Sequence, residues 1–173
     1  MVLPWLNYAG QSVEELLSLE TLYRTDSLVC AFEQALQQKE DSQGLESLTV
    51  EEVVVLAVEA LEREVNNGGY DQFFFNASRR FTPAITFSLK RIGCPNAARI
   101  TEEAIETVGL KSLGMDAIRQ ALRAKDQACE DKLNKCDQAF YDNYATESIE
   151  DRLLEFIKAN KAKITFLRSV RPN

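Results

Sequence analysis

Residues 49–65, TVEEVVVLAVEALEREV, contain neither glycine nor proline. They are long enough for about five helical turns. Val53, Val54, Ala57, Val58, Ala60, Leu61 and Val65 share one broad apolar face. Thr49 with Glu52 three residues on forms a capping box. The β-branched run 53–55 would suit a strand, but the length and the cap select a helix. The pattern is helical almost throughout. SVEELLSLETLYR starts on a second box, Ser12 with Glu15, and DSLVCAFEQALQQKE aligns Leu28, Phe32, Ala35 and Leu36. Thr82 as N-cap, Pro83 and Gly93 bracket one helix; Pro95 and Gly109 bracket the next. From Met115 the apolar spacing through Ile118, Leu122, Cys129, Leu133, Cys136 and Phe140 predicts one long helix or two nearly collinear ones. ESIEDRLLEFIKANK closes the series, with Ile149, Leu153, Phe156 and Ile157 on one face. No segment reads as a strand. The expectation is an all-α, single compact multi-helix domain with short helix–helix connections. Residues 1–48 would form an N-terminal helical part packed on the main body, and residues 49–173 the helical core with its C-terminal helices.

The chain has no histidine. That removes a histidine general base, Ser-His and Cys-His pairs, and imidazole metal ligands. Cys30, Cys94, Cys129 and Cys136 form no CxxC pair and read as core thiols, so no metal is expected. No phosphate loop is present and no cofactor is expected. Residues 1–10 lack the basic start of a signal peptide, and no run reaches the ~20 apolar residues of a membrane span. The expected location is the cytoplasm, with no membrane partner.

The charge is unevenly spread. Residues 1–78 carry 14 acids against Arg24, Lys39 and Arg63, while residues 79–173 carry 13 acids and 17 bases. A net −11 in the first part repels nucleic acid and attracts basic surfaces. Direct nucleic-acid binding is therefore not expected. The cluster Lys158, Lys161, Lys163, Arg168 and Arg171 reads as a cation-favouring helix C-terminus followed by a solvated tail.

Between the helices stands EVNNGGYDQFFFN, residues 64–76. Gly68 and Gly69 can adopt the backbone that ends a helix, and Asn66 and Asn67 bond to nearby backbone. Tyr70, Phe73 and Phe74 share one face of a short following helix, with Phe75 pointing elsewhere, against a neighbouring helix. This predicts a tight corner packed on aromatics, with a ligand pocket as the competing reading. Glu64 falls inside the apolar face and needs a partner. Its expected partners are the backbone of residues 67–70 or a nearby arginine.

NNGGYDQFFFN, the helix ending LKRIG, a helix opening near Ala97, and the later LNKCDQAFYDN and LLEFIKANK resemble the bacterial DNA mimic protein family over roughly residues 50–161. Asn67, Gly68, Gly69, Asp71, Gln72, Phe73 and Asn76 carry the motif. The resemblance implies an acidic, all-helical homodimer. It also implies that the protein occupies the DNA-binding face of a helix-turn-helix transcription factor, so that the factor leaves its operator. Glu64, Asn67, Gly68, Gly69, Tyr70, Asp71, Phe73 and Phe74 are read as a structural motif. Arg79 and Arg80 put a basic spot beside the corner, which argues against the motif being the mimic surface itself.

Mimicry needs carboxylates spaced like phosphates. B-DNA carries one charge per roughly 1.7 Å of axis, and an α-helix rises about 1.5 Å per residue. On a helical wheel Glu51, Glu52, Glu59 and Glu62 fall within an arc of about 100°, which also holds Val55. They are the expected mimic stripe, extended by Glu14, Glu15 and Glu20; a solvated helix face is the plainer alternative. Asp126, Glu130 and Asp131, with Asp137 and Asp142, form a second acidic group interrupted by Lys132 and Lys135. An immunity or antitoxin-like protein covering a basic toxin or nuclease obeys the same physics, and only the partner separates the two. An enzyme built on Tyr70, Asp71 and Gln72 is not expected, because no nucleophile–base pair or metal constellation accompanies them. Val55, Trp5 and Phe166 are candidate dimer contacts.

Overall fold

The computed structural model describes residues 2–109 and 114–167. Its helices are α1 (Val13–Ser18), α2 (Thr25–Gln43), α3 (Val50–Phe75), α4 (Thr82–Arg91), α5 (Pro95–Thr107), α6 (Met115–Arg123), α7 (Gln127–Asn143) and α8 (Ile149–Ala159). Short 3₁₀ turns occupy Leu45–Ser47, Ala77–Phe81 and Lys161–Lys163. Among the described residues there is no strand, and the fold is all-α. No helix among them is long and apolar enough to cross a membrane.

The chain divides into two compact units, Met1–Leu56 with Glu150–Asn173, and Ala57–Ile149. The division falls within α3, so these units differ from the 1–48 and 49–173 parts read from the sequence. In the first unit both capping boxes form. Glu15 N–H donates to Ser12 Oγ at 3.2 Å while Ser12 N–H donates to the Glu15 carboxylate at 2.7 Å. Glu52 N–H donates to Thr49 Oγ1 and Thr49 N–H to the Glu52 carboxylate at 2.8 Å. α1 packs on α2, whose Leu28, Phe32, Ala35 and Leu36 are buried as their spacing requires. The Phe166 ring meets Phe32 edge-on at 5.4 Å.

In the second unit α4 packs on α5 and α5 on α7. The apolar pattern from Met115 resolves into two helices. Asp126 supplies the stop and restart, its carboxylate accepting the Cys129 N–H at 2.9 Å as the α7 N-cap. Thr82 is not an N-cap. The 3₁₀ turn runs directly into α4, so Phe81 holds the cap position and Thr82 Oγ1 donates to the Arg79 carbonyl.

The predicted corner is a break inside α3 with no intervening loop. Gly68 has an extended φ of −164°, and Gly69 lies at φ 73°. Helical geometry resumes at once, and Tyr70, Phe73 and Phe74 are fully buried. Tyr70 packs 6.1 Å from Phe74 and 5.8 Å from Phe140, ring centre to ring centre. Phe75 does not pack against a neighbouring helix; it is 70% exposed.

Candidate partner-binding surface

The stripe predicted on α3 is not a surface. Glu51, Glu52 and Glu59 are buried, and only Glu62 is partly exposed. Glu52 is 0% exposed and accepts two hydrogen bonds of 2.8 Å from the buried Lys39 ammonium. Its carboxylate also takes the Thr165 N–H at 2.7 Å besides the Thr49 N–H of the capping box. Glu51 pairs with Lys163 at 3.0 Å. Glu62 accepts from the Tyr144 hydroxyl at 2.7 Å. The wheel located these carboxylates on a common arc but not the groups that meet them, Lys39 at Glu52, Lys163 at Glu51 and the Tyr144 hydroxyl at Glu62. A buried ion pair is a packing device, and its charges are spent on each other.

Two sequence signals pointed this way. Lys39 extends the apolar row of Leu28, Phe32 and Leu36 on α2, so a buried cation needing a carboxylate was legible there. Glu52 was already committed to capping its own helix.

The N-terminal acids divide. Glu14 is exposed, Glu15 is held in the capping box, and Glu20 accepts from Lys158 at 2.9 Å. Lys158 also bonds Glu155 at 2.9 Å. Lys161 is exposed, while Arg168 and Arg171 lie outside the described residues. Val55 is fully buried and unavailable as a dimer contact; Trp5 is 48% exposed.

The motif residues build a clamp around the break in α3. Glu64 is buried, as its wheel position requires, but its partners are neither the turn backbone nor an arginine side chain. It accepts from Gln72 Nε2 at 2.8 Å, Asn76 Nδ2 at 2.7 Å and Ser78 Oγ at 2.7 Å. Burial pushes the Glu64 carboxyl up, but these three bonds and the nearby Arg63 outweigh it and hold it below its ordinary value. The turn backbone is satisfied from α7 instead. Asp137 accepts the Tyr70 N–H at 2.7 Å, and the Tyr141 hydroxyl donates to the Val65 carbonyl at 2.7 Å. The Tyr144 hydroxyl accepts from Asn66 Nδ2 at 2.8 Å. Burial raises the Asp137 carboxyl, opposed by the Tyr70 N–H and reinforced by Asp71. NNGGYDQFFFN and LNKCDQAFYDN, far apart in sequence, are thus two halves of one joint. Asp137 thereby leaves the second acidic group. Asp71 pairs with Lys125 at 2.7 Å. Arg79 is buried, its guanidinium donating to the Asn76 carbonyl at 2.8 Å and to that of Phe75, which satisfies the end of α3.

The rest of the second group is displayed. Asp126, Glu130, Asp131 and Asp142 are exposed. Taking Gln127 as zero, Glu130, Asn134, Gln127, Gln138, Asp131 and Asp142 lie within an arc of about 120° on α7. Lys135 stands at its edge and Lys132 further round. None of these four acids forms an ion pair among the described residues. Asp126 and Glu130 both stand at the positive N-terminus of α7, which favours acids there. α5, packed on α7, adds exposed Glu106 and exposed Glu103, the latter paired with Arg99 at 3.7 Å. Their signal was the alternation of Glu102, Glu103 and Glu106 with buried Ile100 and Ala104.

The model of the family described as DMP19-like protein matches residues 46–160. Among curated proteins, none matches the chain.

Proposed function

From the premise that this chain belongs to the DMP19-like protein family, we propose that it is a DNA mimic. In this reading it occupies the DNA-binding face of a transcription factor of helix-turn-helix type and keeps that factor from DNA. It acts in the cytoplasm, by binding and not by catalysis. The family membership carries the reading, and the exposed acids of α7 support it with a surface. A DNA-binding face holds phosphates with lysine and arginine, and carboxylates free of internal cations can satisfy the same groups. Glu130 to Asp142 spans about 18 Å of helix. The row is sparser than a DNA strand, which carries a charge per about 3.4 Å. Glu106 thickens it, and a homodimer would present it twice.

The test begins with capture of partners from the native host at low and high salt. Recovery of a DNA-binding regulator, released as salt rises and competed by operator DNA, is the expected result. Reversing Glu130, Asp131 and Asp142 together to lysine is expected to slow association tenfold or more at about 50 mM salt, because such charges act mainly through steering. Unchanged competition by that variant would remove α7 as the surface. Recovery of a nuclease in place of a regulator would favour the toxin-neutralising reading.

A further inference from the structure

We propose that a cationic cleft between the end of α3 and α6 binds a small organic anion: a carboxylate or phosphate carried on a flat apolar body. The cleft has a volume of about 490 Å³, within the range of small-ligand sites. Four cations line it, Arg79, Arg119, Arg123 and Lys125, against the single carboxylate of Asp71. Lys125 consumes that carboxylate at 2.7 Å. Arg119 has only the exposed Asp116 at 3.8 Å, and Arg123 has no ion-pair partner among the described residues. A surplus of guanidinium groups is therefore concentrated on a chain of net charge −7.

Solvated surface arginines would need no ligand, but Arg79 is different. It is 6% exposed, and it forms no ion pair among the described residues. Its guanidinium is fixed by the Phe75 and Asn76 carbonyls, so it stands in the cleft wall as a held positive charge that no carboxylate neutralises by an ion pair among the described residues. Beside it Phe75 holds its ring 70% exposed, and Leu122 contributes a buried apolar wall. An exposed aromatic next to guanidinium groups is suited to a ligand with a flat apolar part and an oxyanion, which the planar forks can grip with two parallel bonds. This site is separate from the acidic face of α7 in charge and in ligand, and it stands or falls independently of the decoy reading.

The full chain is titrated with phenyl phosphate, benzoate and inorganic phosphate, following backbone amide shifts by NMR. Saturable shifts confined to residues 71–79 and 119–125 are expected, with phenyl phosphate or benzoate binding more tightly than inorganic phosphate. Arg119→Ala with Arg123→Ala is expected to weaken binding roughly tenfold or more. Both side chains are exposed, so the fold is retained, as circular dichroism would verify. Phe75→Ala is expected to weaken the two aromatic probes and leave inorganic phosphate unchanged. Absence of saturable shifts, or equal affinity in the double arginine variant, would overturn the site. Inorganic phosphate binding as well as phenyl phosphate would overturn its organic ligand.

Discussion

Gly69 is the residue on which the joint turns. Its φ of 73° is left-handed, and a Cβ there would stand 2.7 Å from Asp137 Cγ. Gly93 shares the positive φ of 83° but has nothing within 4 Å of an added Cβ. Gly93→Ala is therefore expected to cost about 1 kcal/mol, from backbone strain alone. Gly69→Ala is expected to cost clearly more, read as a larger drop in the urea midpoint. Equal losses would mean that the approach of Asp137 carries no constraint. Glu64 sets a pH dependence. Its carboxyl is held below the ordinary 4.5, so the charged form stabilises the fold above that pH. The contribution fades as acid is added through the folded-state value. The stability difference between the native chain and Glu64→Gln is expected to be largest near neutral pH and to shrink below about pH 4.5. A difference that stays constant from pH 7 to pH 3 would show that the charge of Glu64 contributes nothing.

At the scale of elements, α3 survives its own interruption because α7 supplies what the break removes. A break leaves carbonyls and amides without helical partners, and buried ones must find others. Tyr141 reaches the Val65 carbonyl and Asp137 the Tyr70 amide. Tyr141→Phe is expected to cost about 1 kcal/mol, since it removes one hydrogen bond and leaves the ring in place. Asp137→Ala is expected to abolish hydrogen-exchange protection at the Tyr70 amide while amides in the middle of α5 keep theirs. Retained protection at Tyr70 would place the holding force in the aromatic packing of Tyr70 on Phe74 and Phe140. The same logic governs the start of α5, where Glu147 accepts the Asn96 and Ala97 amides at 2.9 and 3.0 Å. That cap comes from some fifty residues downstream.

At the scale of the whole molecule the acids have two separate employments. Some hold the interior together, as Glu52 does through Lys39; others, on α5 and α7, stand in solvent. Charge change should therefore have opposite consequences in the two places. Glu52→Gln leaves Lys39 buried beside a neutral group and is expected to cost about 3–5 kcal/mol, measured by denaturant unfolding. Reversal of Glu130, Asp131 and Asp142 is expected to cost only about 1 kcal/mol, chiefly from Glu130 at the positive N-terminus of α7. A Glu52→Gln variant as stable as the native chain would mean that the pair with Lys39 is not a structural bond.

The helical class, most helix limits, both capping boxes and the aromatic identity of the corner are written locally, in periodicity and in neighbours three or four residues apart. Such signals need no knowledge of the rest of the fold. The break at Gly68 and Gly69 was visible too, as a place where regular geometry stops. What covers each face was not. An arc on a wheel fixes direction and says nothing of the neighbour met there, so Glu51, Glu52 and Glu59 looked presentable until α3 proved buried around them. Phe75 is the converse case, since apolar character does not guarantee a partner. The pairing of Asp137 and Tyr141 with the interrupted helix, and of Lys39 with Glu52, joins residues that local pattern cannot connect. Tertiary packing alone decided which carboxylates serve the interior and which remain in solvent to meet a partner.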